Sequence, residues 1–208
     1  MKKIICIALL LTFVFSKSIF GQIGLNISSG INHSNYEFKN FDNRKPKAKL
    51  GYFVGIAPNY RISEKVRLLT DFQYSLKGYG TDVDGSTTPS KFRFSYLEII
   101  PEIEYSVLNY LTLGIGVTYG LKLSEQFKFG NGDWTSANNF ETIKSTDFGL
   151  TGKLKVNYND IFLFTRYNFG LKGIADVTFT DENGQEIGDA NQFSRNLQIG
   201  VGYAFNLK

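Results

Sequence analysis

The residues of this 208-residue chain that could do chemistry fall into four groups. His33 is the only histidine. Ser34 follows it, and Glu37 and Asp42 are the nearest acids. Histidine, serine and a carboxylate are the nucleophilic set of acyl hydrolases and acyltransferases. A lone histidine at the end of an element is more often an interface residue, which is the preferred reading of His33. The second group is acidic: Asp176, Asp181, Glu182, Glu186 and Asp189. Such oxygen-rich segments can bind Ca²⁺, but EF-hand spacing is absent. Asp181-Glu182-Asn183-Gly184 reads better as a hairpin turn between 177–180 and 185–187, and Asp82-Val83-Asp84-Gly85 is an equally weak metal candidate. The third group is basic: Lys39, Arg44, Lys45, Lys47 and Lys49, with Glu37 and Asp42 interspersed. It suits phosphate groups such as those of lipopolysaccharide, or pairing with the acidic segment, and pairing is the favoured reading. The fourth group carries both signs: Asp71, Glu98, Glu102, Glu104 and Asp147 against Lys122, Lys153, Lys155 and Arg166. It reads as a self-neutralising network, with a narrow ion path as the alternative.

Composition excludes several classes. The single Cys6 rules out a disulfide scaffold, a cysteine zinc module and a CxxC redox motif. Lys2 and Lys3, an apolar run over 4–15 and polar Ser16-Lys17-Ser18 have the order of a secretory signal. Cleavage is expected after Gly21, with Ser18 as the alternative. That leaves 22–208 as one domain and removes Cys6. Without Lys2, Lys3 and Lys17 the 23 basic residues fall to 20 against 19 acidic ones. No concentrated basic face remains, so nucleic acid is not an expected partner. No cofactor motif is present. A mean hydropathy of -0.15 is too polar for a bundle of membrane helices.

The elements that must position these groups are strands. Over 111–123, Leu111, Leu113, Ile115, Val117, Tyr119, Leu121 and Leu123 alternate with Thr112, Gly114, Gly116, Thr118, Gly120 and Lys122. A helix would need apolar residues three and four apart. The same period of two runs through 23–33, 50–61, 66–77, 148–158, 161–171 and 197–207. In 92–105 the parity slips: Phe92 and Phe94 are even, whereas Leu97, Ile99, Ile103 and Tyr105 are odd. A bulge near Tyr96 is expected there. Pro58 and Pro101 each remove a ladder donor from their strands. Eight strands of about 10 to 14 residues result, with connections alternating short (62–65, 106–110, 159–160) and long (34–49, 78–91, 124–145, 172–192).

Eight antiparallel strands can close into an up-and-down barrel. A soluble barrel puts apolar residues inside; a transmembrane barrel inverts this, with an apolar outer band and aromatic girdles. The polar face here holds Gly, Ser, Thr, Asn and Ala, small enough for a narrow lumen, and charges of both signs. Aromatics form two tiers. Tyr60, Tyr105, Tyr110, Tyr158 and Phe205 lie near the short turns; Tyr52, Tyr74, Tyr119, Phe148 and Phe169 lie near the long connections. The expectation is an eight-stranded antiparallel up-and-down transmembrane β-barrel, with short turns periplasmic and long loops extracellular.

Three stretches resemble the PorT-like outer-membrane β-barrel family of Bacteroidetes-type bacteria. Val54 to Gly80 is similar to that family's strand–turn–strand, ending in Tyr74-Ser75-Leu76-Lys77-Gly78. Tyr96-Leu97-Glu98-Ile99-Ile100-Pro101 resembles its Tyr-Leu-Glu-Ile-Pro, with Ile100 as an insertion. The closing Val201 to Lys208 looks like its last strand. The resemblance implies an outer-membrane scaffold without catalytic residues and, through its founding member, an association with secretion and gliding machinery. The functional expectation is a small non-enzymatic barrel acting in envelope integrity or binding through its loops. Its expected surroundings are outer-membrane lipid, with lipopolysaccharide or envelope proteins as candidate partners. A machinery subunit, a narrow channel and a lipid-modifying enzyme are the alternatives.

Overall fold

The computed structural model describes residues 23–39, 44–83, 90–137, 144–180 and 186–206. The candidate signal over 1–21 lies outside them. Ten strands follow in order: β1 (Ile23–Lys39), β2 (Arg44–Arg61), β3 (Val66–Val83), β4 (Ser90–Leu108), β5 (Leu111–Phe129), β6 (Thr135–Ser136), β7 (Thr146–Tyr158), β8 (Ile161–Gly170), β9 (Ala175–Thr180) and β10 (Glu186–Asn206). Eight pair in sequence order as β1-β2-β3-β4-β5-β7-β8-β10. β10 then pairs back onto β1, from Gly24 opposite Asn206 to Lys39 opposite Asn191. The sheet is a closed antiparallel barrel of eight strands. β6 is a short addition to β5, and β9 pairs with the far end of β10.

The alternation sets which side chains go in. On β7, Asp147, Gly149, Thr151, Lys153 and Lys155 face the lumen, while Phe148, Leu150, Leu154 and Val156 are exposed on the wall. Ile115 is 69% exposed, more than most side chains of this type tolerate in water. Asn159 takes a φ of 53° in the tight β7–β8 turn, a conformation asparagine tolerates better than most residues.

Three expectations need correction. First, most strands are longer than 10 to 14 residues: β1 has 17, β4 and β5 have 19, and β10 has 21. The excess lies mainly at the loop end, so the supposed long connections 34–49, 78–91 and 172–192 are largely strand, and 124–145 holds strand over 124–129 and 135–136. Beyond the apolar band the outward face no longer has to be apolar. The hydrophobic period therefore fades while backbone pairing continues.

Second, the bulge is at the expected height but on the other strand. Ser95 pairs with Ser124 and Tyr96 with Lys122, so the extra residue is Leu123 of β5. Parity flips on β5, where Lys122 and Glu125 both turn inward. β4 keeps its phase: Phe94, Tyr96, Glu98, Ile100, Glu102 and Glu104 are all buried. The apolar residues change parity in β4 because the lumen itself becomes apolar near the loop end.

Third, the lumen is not lined by small side chains alone. Phe53, Phe162 and Phe164 form one buried cluster; Tyr36, Tyr79, Phe94, Tyr96 and Ile174 form another. Glycines make the room. A Cβ at Gly202 would lie 2.2 Å from the Phe162 ring, and one at Gly200 would lie 2.7 Å from both Phe164 and Phe53.

Pro58 and Pro101 leave gaps in the ladder. The β2–β3 register skips from Ile56 opposite Phe72 to Asn59 opposite Leu69. The β4–β5 register skips from Ile99 opposite Tyr119 to Glu102 opposite Gly116. An apolar groove of about 660 Å³ lies in the wall at the second gap, between Pro101, Ile103, Ile115 and Val117.

Candidate functional site

The inward row of β5 explains how long charged side chains share a narrow lumen. Gly114 lies between Glu104 of β4 and Lys153 of β7, and Gly120 lies between Glu98 and Asp147. A Cβ at Gly114 would stand 3.3 Å from Lys153 and 3.6 Å from Glu104. Without it, Lys153 reaches across β5, meeting Glu104 at 2.8 Å and also pairing with Glu102.

Arg166 of β8 is the hub. Its Nε lies 2.9 Å from Glu102 and its Nη2 2.9 Å from Asp71. Its Nη1 donates to Gln73 at 3.2 Å and to Gln198 at 3.1 Å. Gln198 donates onward to Asn32 at 3.0 Å. Toward the turn end, Lys155 meets Glu104 at 2.5 Å. Toward the loop end, Lys77 meets Glu98 at 2.5 Å and Asp147 at 3.4 Å, and Lys122 meets Glu125 at 2.7 Å. Faces of inward rings cover several cations: Arg166 over Phe164 at 5.3 Å, Lys155 over Phe162 at 5.3 Å and Lys77 over Tyr96 at 5.1 Å. In this low-dielectric space each pairing offsets a desolvation that would otherwise be severe. A cavity of about 10 Å³ beside Arg166 leaves room for one water at most.

The structure thus places Asp71, Glu98, Glu102, Glu104, Lys122, Asp147, Lys153, Lys155 and Arg166 together in the lumen. It separates the members of the nucleophile candidate. His33 is exposed on the wall, whereas Ser34 is buried on the opposite face, donating to the Lys49 carbonyl and accepting from the Gly78 amide. Neighbours on a strand point to opposite sides, so these two cannot act on one substrate. Glu37 is engaged by Arg195 at 2.6 Å, and Asp42 lies outside the described residues.

The wall carries the two aromatic tiers. Tyr105, Tyr110, Tyr158 and Phe205 are exposed near the short turns, with Tyr60 half-buried. Tyr52, Tyr119, Phe148 and Phe169 are exposed toward the loop end; Tyr74 is half-buried and its ring centroid is 6.1 Å from that of Tyr52. Isoleucine, leucine and valine fill the band between.

Residues 16–176 match the model of the outer membrane protein beta-barrel domain. The chain belongs to this outer-membrane β-barrel family. The barrel is therefore integral to the outer membrane, with the band between the tiers as its lipid-facing belt. No curated protein matches the sequence. Among solved structures, the barrel is similar to the attachment invasion locus protein Ail of Yersinia pestis, with 13% identity and a TM-score of 0.48 over 88% of this chain and 99% of that one. It is similar to OprG of Pseudomonas aeruginosa, with 13% identity and a TM-score of 0.48 over 89% and 97%. Neisserial surface protein A is similar at 15% identity and a TM-score of 0.47 over 86% and 96%.

Within this outer-membrane barrel, the lumen network holds members beyond the charged set named from the sequence. Lys77 and Glu125 complete ion pairs, and Gln73, Gln198 and Asn32 carry the network across the seam. Lys77 was legible: it shares the inward phase of Asp71 on β3. The basic group needs a further correction. Arg44, Lys45, Lys47 and Lys49 belong to β2 and Lys39 ends β1, so they are not one loop. The side chains of Lys39, Arg44 and Lys45 lie outside the described ones, as do those of Asp176, Glu186 and Asp189. Residues Asp181 and Glu182 also lie outside. Among the described residues no group of acidic, histidine or cysteine side chains has the arrangement of a metal site.

Proposed function

We propose that this outer-membrane barrel is a sealed, non-enzymatic scaffold whose extracellular strand extension acts in binding or envelope integrity. One observation carries the reading. The lumen is filled by paired charges and aromatic side chains, while β1 to β5 and β10 continue past the outer aromatic tier. A filled lumen is poor for conduction, and an extension this ordered presents a fixed surface. The test is single-channel recording in planar bilayers. A quiet membrane after verified insertion is expected, and discrete conductance steps would overturn the sealed-scaffold reading.

A second reading is a PorT-like subunit of a secretion or gliding machinery. It is favoured by the contact between the first two family-like stretches, where Lys77 of one pairs with Glu98 of the other at 2.5 Å. Extraction of the native membrane in mild detergent separates the readings. A particle fitting one barrel supports the free-standing scaffold, and a much larger one supports the subunit.

A further inference from the structure

Every described cation buried in the lumen meets a carboxylate. The cations just beyond the outer tier do not follow this rule. Lys49 Nζ and Arg93 Cζ lie 4.2 and 4.4 Å from the Trp134 ring centroid. Lys49 donates to the Phe92 carbonyl at 3.2 Å. Arg93 donates Nε to Gln126 Oε1 at 2.9 Å and Nη2 to the same oxygen. These acceptors are neutral. Among the described residues neither cation has a carboxylate in salt-bridge range. Lys91 sits two residues before Arg93 on β4 and directly opposite Lys128 of β5. Like charges facing each other across a ladder repel. Gly78 adds a built feature: a Cβ there would stand 3.0 Å from Lys49 Cδ, so the lysine stem occupies the space that the glycine leaves. Burial lowers the Lys49 pKa to about 8, with Arg93 and Lys91 adding repulsion.

Four cations on β2, β4 and β5, two of them held against neutral groups and two facing each other across a ladder, make a site that lacks its anion. Its height decides which anion. Lys49 stands three residues beyond Tyr52, next to the exposed Leu50, where the headgroups of the outer leaflet begin. We propose that Lys49 and Arg93 on the Trp134 ring, with Lys91 and Lys128 beside Arg93 on β4 and β5, bind the phosphate groups of a phosphorylated outer-leaflet lipid. Arginine offers a fork to phosphate oxygens and the lysines supply point charges. The proposal deepens the reading of the extension as the working surface, and it can fail while the lumen remains sealed.

Trp134 is the only tryptophan, so its fluorescence reports the site alone. The full barrel in zwitterionic micelles is titrated with diphosphorylated lipid A, with the dephosphorylated lipid and with inorganic pyrophosphate. The expected result is a saturable change with the phosphorylated lipid only. Lys49→Gln with Arg93→Gln weakens it at least about tenfold, corresponding to roughly 1.4 kcal/mol. Lys65→Gln, on a periplasmic turn, leaves it unchanged. Retained heat-modifiable migration on gels shows that each variant is folded. An equal response to pyrophosphate would replace the lipid with a soluble anion and overturn the assignment. An unchanged affinity in the folded double variant, or no response to any phosphate, would overturn the site itself.

Discussion

Arg166 and Glu102 meet across the lumen, Nε to Oε1 at 2.9 Å, tying β8 to β4 through the interior rather than round the wall. Arg166 is 1% and Glu102 3% exposed, so neither charge has water to fall back on. Removing one partner leaves the other buried and uncompensated. Arg166→Met is expected to cost about 3–5 kcal/mol, read as a fall in the urea midpoint of the barrel in lipid vesicles. Arg166→Met combined with Glu102→Gln and Asp71→Asn recovers part of it. Equal losses in the single and combined variants would mean that the guanidinium acts by packing alone.

The glycines of β10 are matched to inward rings. Gly202→Ala places a methyl 2.2 Å from the Phe162 ring and 2.7 Å from the Ile27 carbonyl. A loss of about 1–3 kcal/mol is expected. Phe162→Leu in the same chain relieves the ring part of the clash, so the two effects are strongly non-additive in a double-mutant cycle.

The apolar belt has a position that should not tolerate charge. Ile115 lies midway between Tyr110 and Tyr119 and is 69% exposed. Ile115→Arg is expected to cost about 2–4 kcal/mol, the depth-dependent cost of arginine at the bilayer midplane. Leu50→Arg, at a residue of similar exposure beyond the outer tier, costs less than about 1 kcal/mol. Equal costs would place the bilayer elsewhere on the wall.

Lys49 makes stability depend on pH in an unusual direction. Its folded pKa of about 8 is below the ordinary 10.5. The unfolded chain therefore holds more protons between these values, and stability rises with pH across that window. Below pH 8 the charged side chain carries the full penalty and the contribution is flat. The urea midpoint of the native barrel, compared with that of Lys49→Met, should gain across pH 8 to 10. A difference that stays constant would sink this account.

The bulge at Leu123 carries the last prediction. Deleting Leu123 removes the extra residue and leaves a regular ladder, in which Lys122 and Glu125 stay inward and Ser124 stays outward. A cysteine introduced at position 125 should therefore stay protected from a membrane-impermeant thiol reagent whether Leu123 is present or deleted, and reactivity on deletion would mean that the extra residue is not Leu123.

The barrel was legible because lipid and lumen impose opposite demands on alternate residues. The run Leu111 to Leu123 needs no partner to declare itself. The loop-end extension was not legible, because water on the outside removes one of those demands. Phe94 and Phe92 then mimic a parity slip in β4, while the real one sits in β5, where Leu123, Ser124 and Glu125 give no hydrophobic contrast. The charged side chains could be assigned to the lumen by phase. Their partners could not, since Arg166 joins residues about 65 to 95 positions away through a closure that no local pattern encodes. The basic patch needed the fold as well: Lys49, Arg93 and Trp134 come from three separate parts of the chain.

The pairing of β10 with β1 also bears on how such a barrel is made. Neighbouring hairpins can form in order as the chain is threaded, but Gln198 meets Asn32 only when the last strand finds the first. Until then Arg166, Lys153 and Glu102 line an open sheet. An open sheet left in the bilayer would set these charges beside hydrocarbon, a state costly enough to be self-excluding. The lumen network thus acts as an assembly check, penalising incomplete insertion and releasing the penalty at closure.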